Sequence, residues 1–287
     1  MLATFVLYLR EGLEASLIVS ILYAALRQLN LQHQTRAIWT GVILAILGSL
    51  LGGIALYITI REYNGSTFQT IFETITYIVA VILLTAMTFW MQQHSRTLKK
   101  EISARASVAG SGFALGLLAF TSVGREGLES AVFTLAFAFN TNAAMLLLGG
   151  VLGVAASVAL CVLIYRLGYR LDYRIFFRVM GIILLFFAAG LLGNAVLNMQ
   201  ELGWITFGTT HLWDVSRIAF LSQDTPVGDL LHGLVGYTDA PTVLQAGAYL
   251  AFLLIAGSIF ARMTRKPTTR RPATPQTLPS DAVTGRA

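Results

Sequence analysis

Five residues, Arg10-Glu11-Gly12-Leu13-Glu14, stand inside a run that is otherwise almost wholly apolar, and the same word returns as Arg125-Glu126-Gly127-Leu128-Glu129. Phe5-Val6-Leu7-Tyr8-Leu9 leads into the first copy and Ala15-Ser16-Leu17-Ile18-Val19 follows it. The second lies between Leu115-Gly116-Leu117-Leu118-Ala119-Phe120 and Ala131-Val132-Phe133-Thr134-Leu135. A charge near the centre of a bilayer costs roughly 2.5–3.5 kcal/mol, so six unpaired charges would cost about 15–20 kcal/mol. Any fold of this chain has to supply partners for both copies.

The surroundings of the word set the class. The chain has 287 residues, 56% hydrophobic and 12% charged, with a mean hydropathy of +0.71. Soluble domains carry a charged fraction of about 25%. Apolar runs of ~18 residues without alternation point to helices and against a β-barrel. The expected fold is an all-α integral membrane protein with seven transmembrane helices, at about 3–26, 38–60, 70–91, 107–139, 143–165, 175–198 and 243–262. The fourth is too long for one straight crossing, which takes about 20 residues, so it is expected to start at the interface, tilt, or break near Gly124. Cys161 is the one cysteine, which excludes an internal disulfide and dithiol chemistry. The N-terminus has no basic stretch, and Arg10-Glu11 interrupts what would be a signal-peptide core, so the first helix is the expected membrane signal.

The bases give an orientation. With the N-terminus outside, the outer segments hold only Arg61 and Arg217, and the spans hold Arg10 and Arg125. All the other lysines and arginines fall inside, which is the positive-inside pattern of an N-out, C-in protein. The basic pI of about 9.7 therefore belongs to a lipid bilayer partner, and nucleic acid is not expected. In this topology the two words lie on antiparallel helices, and spans 1–3 and 4–6 form a 3+3 inverted repeat with one helix added. Inverted repeats place a substrate site near the membrane midplane. The expected organisation is a permease domain over 1–262, with an outer loop at about 199–242, and a disordered cytoplasmic tail over 263–287, rich in Pro, Thr and Arg. Asp229-Leu230-Leu231-His232-Gly233-Leu234-Val235 reads as a short interfacial helix in that loop. Small residues inside spans (Gly48, Gly52 and Gly53, Gly112 with Gly116, Gly149 with Gly153) allow close helix approach.

Residues three apart share a helix face, so Glu11 converges with Glu14 and Glu126 with Glu129, while Gly12 and Gly127 leave room for a backbone or an ion. Opposed carboxylate faces suit hard cations such as magnesium, calcium, manganese or ferric iron. Structural pairing by Arg10 and Arg125, or proton relay, are the competing uses of the same residues. All four histidines lie outside the spans, the acid spacing is Glu-x-x-Glu rather than Glu-x-x-His, and no Walker A or HExxH motif is present. Haem and di-iron bundles, ATPases and zinc proteases are thereby set aside, leaving a transporter rather than an enzyme.

The doubled word, one copy in the first span and one in the fourth, resembles the oxidase-dependent iron permease family, which comprises fungal high-affinity ferric permeases and bacterial EfeU-type permeases. Phe89-Trp90-Met91, Gln200-Glu201-Leu202-Gly203-Trp204, Leu212-Trp213-Asp214 and Leu231-His232-Gly233-Leu234-Val235-Gly236-Tyr237 are similar to the bacterial branch, and the resemblance runs to about residue 262. It implies that Glu11, Glu14, Glu126 and Glu129 bind ferric iron in transit, with Arg10 and Arg125 as supporting bases. Iron would be the transported substrate, with no permanently bound cofactor. The resemblance further implies a cell inner (plasma) membrane location and a separate ferroxidase: in bacteria, the periplasmic iron-binding and haem peroxidase components of an Efe-type system. The fungal outer-loop acidic motif is not recognisable here. Glu73, near the outer end of span 3, is a secondary candidate expected beside the first word, and the loop residues Asp214, His232 and Asp239 are candidates for capturing iron from a donor protein. Three other readings stand beside this one: a permease of the same fold for manganese or lead, a proton-coupled transporter of an organic cation, and a structural membrane subunit.

Overall fold

The computed structural model describes residues 1–28, 34–62, 65–94, 104, 111–139, 141–167, 173–213 and 237–264. Seven long helices appear among them: α1 Leu2–Gln28, α2 Thr35–Glu62, α3 Thr67–His94, α4 Gly112–Ala138, α5 Ala143–Leu167, α6 Tyr173–Glu201 and α7 Val243–Thr264. Five of these (α2, α3, α5, α6 and α7) are long and apolar enough to cross a membrane. α1 and α4 have 27 residues each, as long as the others, and each carries the three charges of the repeated word. The expected disordered tail beyond residue 264 and the expected helix at 229–235 lie outside the described residues.

Helix starts follow capping chemistry. Ser66, Ser111, Asn142 and Thr242 stand just before α3, α4, α5 and α7, and their side-chain oxygens accept backbone N–H bonds from Gln69, Ala114, Ala144 and Gln245. These are residues that favour the position because they satisfy amides the helix cannot. The cap at Ser111 also corrects the expected fourth span. α4 begins at Gly112 and runs unbroken through Gly124, so no break near Gly124 is present.

Packing crosses between the halves. α1 lies against α5, α2 against α4, and α3 against α6, while α7 covers α6. A Cβ on Gly149 of α5 would strike the Met1 carbonyl and Thr4, and one on Gly41 of α2 would strike the Gly116 carbonyl of α4. The two cross-pairs thus approach backbone to backbone in the same way. Gly48 and Gly52, read as packing residues, face open space instead.

Two apolar clusters bracket the words. Ala3, Val6 and Leu7 at the start of α1 pack with Phe133 and Ala136 at the end of α4, together with Tyr77, Leu84, Leu184 and Phe187. Ile18, Leu22 and Leu26 at the end of α1 pack with Leu115 and Ala119 near the start of α4, together with Ile38 and Val42. α1 and α4 therefore run antiparallel, with the two words between the clusters. Outward faces of α2 and α5 expose Leu44, Leu47, Leu51, Leu147, Val151 and Val158. Such apolar exteriors suit a helix bundle surrounded by lipid, with backbone polar groups satisfied inside each helix.

The glycine contacts give a test. Gly116→Leu and Gly149→Leu each overpack a helix crossing and are expected to destabilise the detergent-solubilised protein by about 1–3 kcal/mol. Gly48→Leu, on an open face, is expected to stay within about 0.5 kcal/mol. Thermal unfolding in detergent reads all three.

Candidate metal centre

Within each helix the Glu-x-x-Glu spacing sets two acids on one face, and the antiparallel crossing turns the two faces toward each other. One carboxylate oxygen from each of Glu11, Glu126 and Glu129 lies within 4.8 Å of the others. Glu11 and Glu126 hold the same place in their two words, so the group forms where the repeats meet. Glu11, Glu14 and Glu126 are buried, and Glu129 is half-buried.

The arginines are disposed differently. Arg10, 2% exposed, donates from Nη1 to Glu11 Oε1 at 3.1 Å, and its Nε lies 3.0 Å from Glu14 Oε1. The second contact is an ion pair by distance that is not aligned as a hydrogen bond. Arg125, 52% exposed, donates from Nε to Glu129 Oε1 at 2.8 Å. Its guanidinium carbon lies 5.3 Å from the centre of the Trp90 ring on α3. Among the described residues no ion pair reaches Glu126.

This leaves unmet demand for positive charge. Glu11 Oε2, Glu126 Oε2 and Glu129 Oε2 are buried without a hydrogen-bond partner. Buried carboxylate oxygens are costly unless paired or bound to a metal. Three carboxylates within one ion's reach, with spare oxygens, form a donor set for a hard cation rather than for a soft, thiolate-seeking metal. Of the four motif glutamates, the structure groups Glu11, Glu126 and Glu129, and holds Glu14 beside them through Arg10.

The motif glycines do something other than leave room for an ion. A Cβ on Gly12 would overlap the side chain of Ser157 on α5, and one on Gly127 would overlap that of Ser49 on α2. Each glycine admits a serine from the opposite half, so the words are pinned by the cross-packing helices. Ser49 and Ser157 carry almost no mark in the sequence. Their only signal is that each lies in the middle of the second helix of its half. Trp90 is marked there through resemblance alone, without a partner.

The secondary candidates are scattered. Glu73 accepts a hydrogen bond from Gln69 Nε2 at 2.7 Å. It lines a separate cavity of about 520 Å³ with Ser66, Thr70 and Glu201, away from the carboxylate group. Asp239 is half-buried in the segment leading to α7. That segment is tied back to the end of α6, where His211 bridges to Thr242 and Gln200 Oε1 accepts from Thr242 Oγ1 at 2.9 Å. Asp214 and His232 lie outside the described residues.

With this geometry in place, comparison with known proteins places the chain. The model of the iron permease FTR1 family matches residues 1–269. The ferrous iron permease EfeU of Yersinia pestis is 34% identical over 266 residues, covering 91% of this chain and 93% of that protein. The ferrous iron permease EfeU of Escherichia coli O157:H7 is 36% identical over 267 residues, covering 91% and 95%. No solved structure matches. A bundle of apolar helices meeting at paired glutamates, matched along nearly its whole length, belongs to the iron permease FTR1 family: it is a multi-pass membrane transporter and not an enzyme.

Proposed function

We propose that this chain imports ferric iron across the inner (plasma) membrane, binding it between Glu11, Glu126 and Glu129, with Glu14 and the two arginines setting the charge around it. The observation that carries the reading is the meeting of three carboxylates, two buried and one half-buried, each with an unpartnered oxygen, where the two copies of one word cross. Four glutamates and two arginines leave the cluster short of positive charge, as a cation carrier requires. All-oxygen donors favour the harder, more highly charged ferric ion over ferrous. The curated relatives are named for ferrous iron, and a ferric cargo would fit a ferroxidase acting before transport. We assign that step to a separate periplasmic partner, with iron-binding and haem peroxidase components, because the carboxylate centre offers no redox group of its own.

The topology in this proposal is seven spans, N-out and C-in. The antiparallel contact of α1 with α4 supports it, as do the matched cross-pairs α1–α5 and α2–α4 and the inside bias of the bases. With a negative interior, the membrane potential contributes about 2.3 kcal/mol per charge per 100 mV, roughly 7 kcal/mol for a trivalent ion. An ion entering between the halves would meet the carboxylates near the middle of α1 and α4.

Three measurements test this. Glu126→Gln and Glu129→Gln preserve shape and remove charge, and each is expected to lower radiolabelled iron uptake by about 10- to 100-fold at normal protein level. Undiminished uptake in both would sink the site. Uptake is expected to persist in the presence of an impermeant ferrous chelator and to stop when a reductant is added with it; the reverse pattern assigns the ferrous ion as cargo. In whole cells, an impermeant thiol reagent should label a cysteine introduced at the exposed Thr67, at the outer start of α3, and spare one introduced at Thr264, in a Cys161→Ser background.

A further inference from the structure

The same five residues sit in two surroundings, and the difference falls on the arginine. Arg10 is folded in between Glu11 and Glu14 and is almost fully buried. Arg125 is half exposed, reaches Glu129 alone, and has its guanidinium over the face of Trp90. Identical words have identical intrinsic preferences, so the packing around them makes the difference. Here the visible agent is an aromatic ring on α3. A guanidinium over an indole face is held by the ring's negative quadrupole, more strongly when partly withdrawn from water.

The consequence lies at Glu126. Folded inward as Arg10 is, Arg125 would lie between Glu126 and Glu129 and supply the partner that Glu126 Oε2 lacks. Held outward, it leaves Glu126 open, and Glu126 is one of the three carboxylates within reach of a single ion. We propose that Trp90 is a positioning residue of the transport cycle: it latches Arg125 away from Glu126, so that the site accepts a metal cation, and on release from the ring Arg125 becomes a tethered cation that competes with the cargo. Loading and unloading are then an exchange of one cation for another over the same carboxylates, with no covalent bond made or broken. Arg10 shows what the inward arrangement looks like.

This rests on the carboxylate site proposed above, and the test separates the two. Uptake from ferric citrate into proteoliposomes is measured for the parent, Trp90→Leu, Arg125→Gln and the double variant, with Glu126→Gln alongside. Trp90→Leu is expected to raise the half-saturating concentration by about tenfold, with a smaller effect on maximal rate. Trp90→Phe, which keeps a ring face, should lie nearer the parent. In the Arg125→Gln background, Trp90→Leu should change the half-saturating concentration by less than about twofold, because the ring then has no guanidinium to hold. Equal loss from Trp90→Leu with and without Arg125, or no loss at all, overturns the latch. Unchanged uptake in Glu126→Gln overturns instead the site on which the latch rests. Trp90→Met, apolar and ringless, gives the same reading where the leucine variant fails to accumulate.

Discussion

Everything in this structure depends on burying carboxylates where water cannot reach them. An isolated carboxylate in an apolar interior is expensive enough that a group either finds a partner or gives up its charge. Here each word meets the other word, so the halves supply one another's electrostatic environment. Glu11 from the first half and Glu126 and Glu129 from the second share one ion-sized space. The crossing of α1 and α4 is the junction that the remaining helices hold in register. The two apolar clusters at either end of that crossing fix its depth. The serines that fill the notches at Gly12 and Gly127 fix its rotation.

The packing is matched between the halves while the electrostatics is not. Gly41 against Gly116 and Gly149 against Met1 repeat one kind of approach, as do Gly12 against Ser157 and Gly127 against Ser49. Yet Arg10 is 2% exposed and Arg125 52%. The packing repeats between the halves, and the difference between them lies in where each arginine sits. A two-fold bundle with equal arginines would offer a cation either two closed carboxylate pairs or two open ones. The broken symmetry leaves Arg10 between Glu11 and Glu14, with Glu11 Oε2 still unpartnered, beside a Glu126 that no ion pair reaches among the described residues. In the proposed site, that combination would spare an ion from meeting four uncompensated charges.

Much of this was legible in the sequence because it depends on local properties. Span positions follow from hydropathy, and the helices fall close to the expected ranges at Thr35–Glu62, Tyr173–Glu201 and Val243–Thr264. The repeated word and its spacing name the acids. The start of α4 was misjudged because hydropathy runs smoothly past Ser111, whereas the helix start is set by a hydroxyl accepting the Ala114 amide. What could not be read is whatever depends on which helices cross. Nothing local separates Gly41, pressed on a backbone, from Gly48, facing open space. Nothing in two identical words shows that one arginine lies under a tryptophan from a third helix. Contacts between segments more than thirty residues apart carry the difference, and those are properties of the assembled bundle.

A transporter site has to bind and then let go, and the second demand is the harder one for a carboxylate cage. Four acids left wholly free would hold a multivalent cation firmly, and for an ion already at the midplane only about half of the membrane potential is left to draw it inward. Four acids fully matched by fixed bases would not attract it. A base on a flexible stem, adjacent to the acids but held elsewhere, lies between these limits, because its distance can set the charge the ion meets. Arginine is suited to this use since it stays protonated throughout and binds both carboxylates and aromatic faces. The arrangement of Arg125 between Glu129 and Trp90 has both kinds of partner in place. Under the proposed latch, the strength of the site would change through the position of one guanidinium, without any acid having to lose its charge.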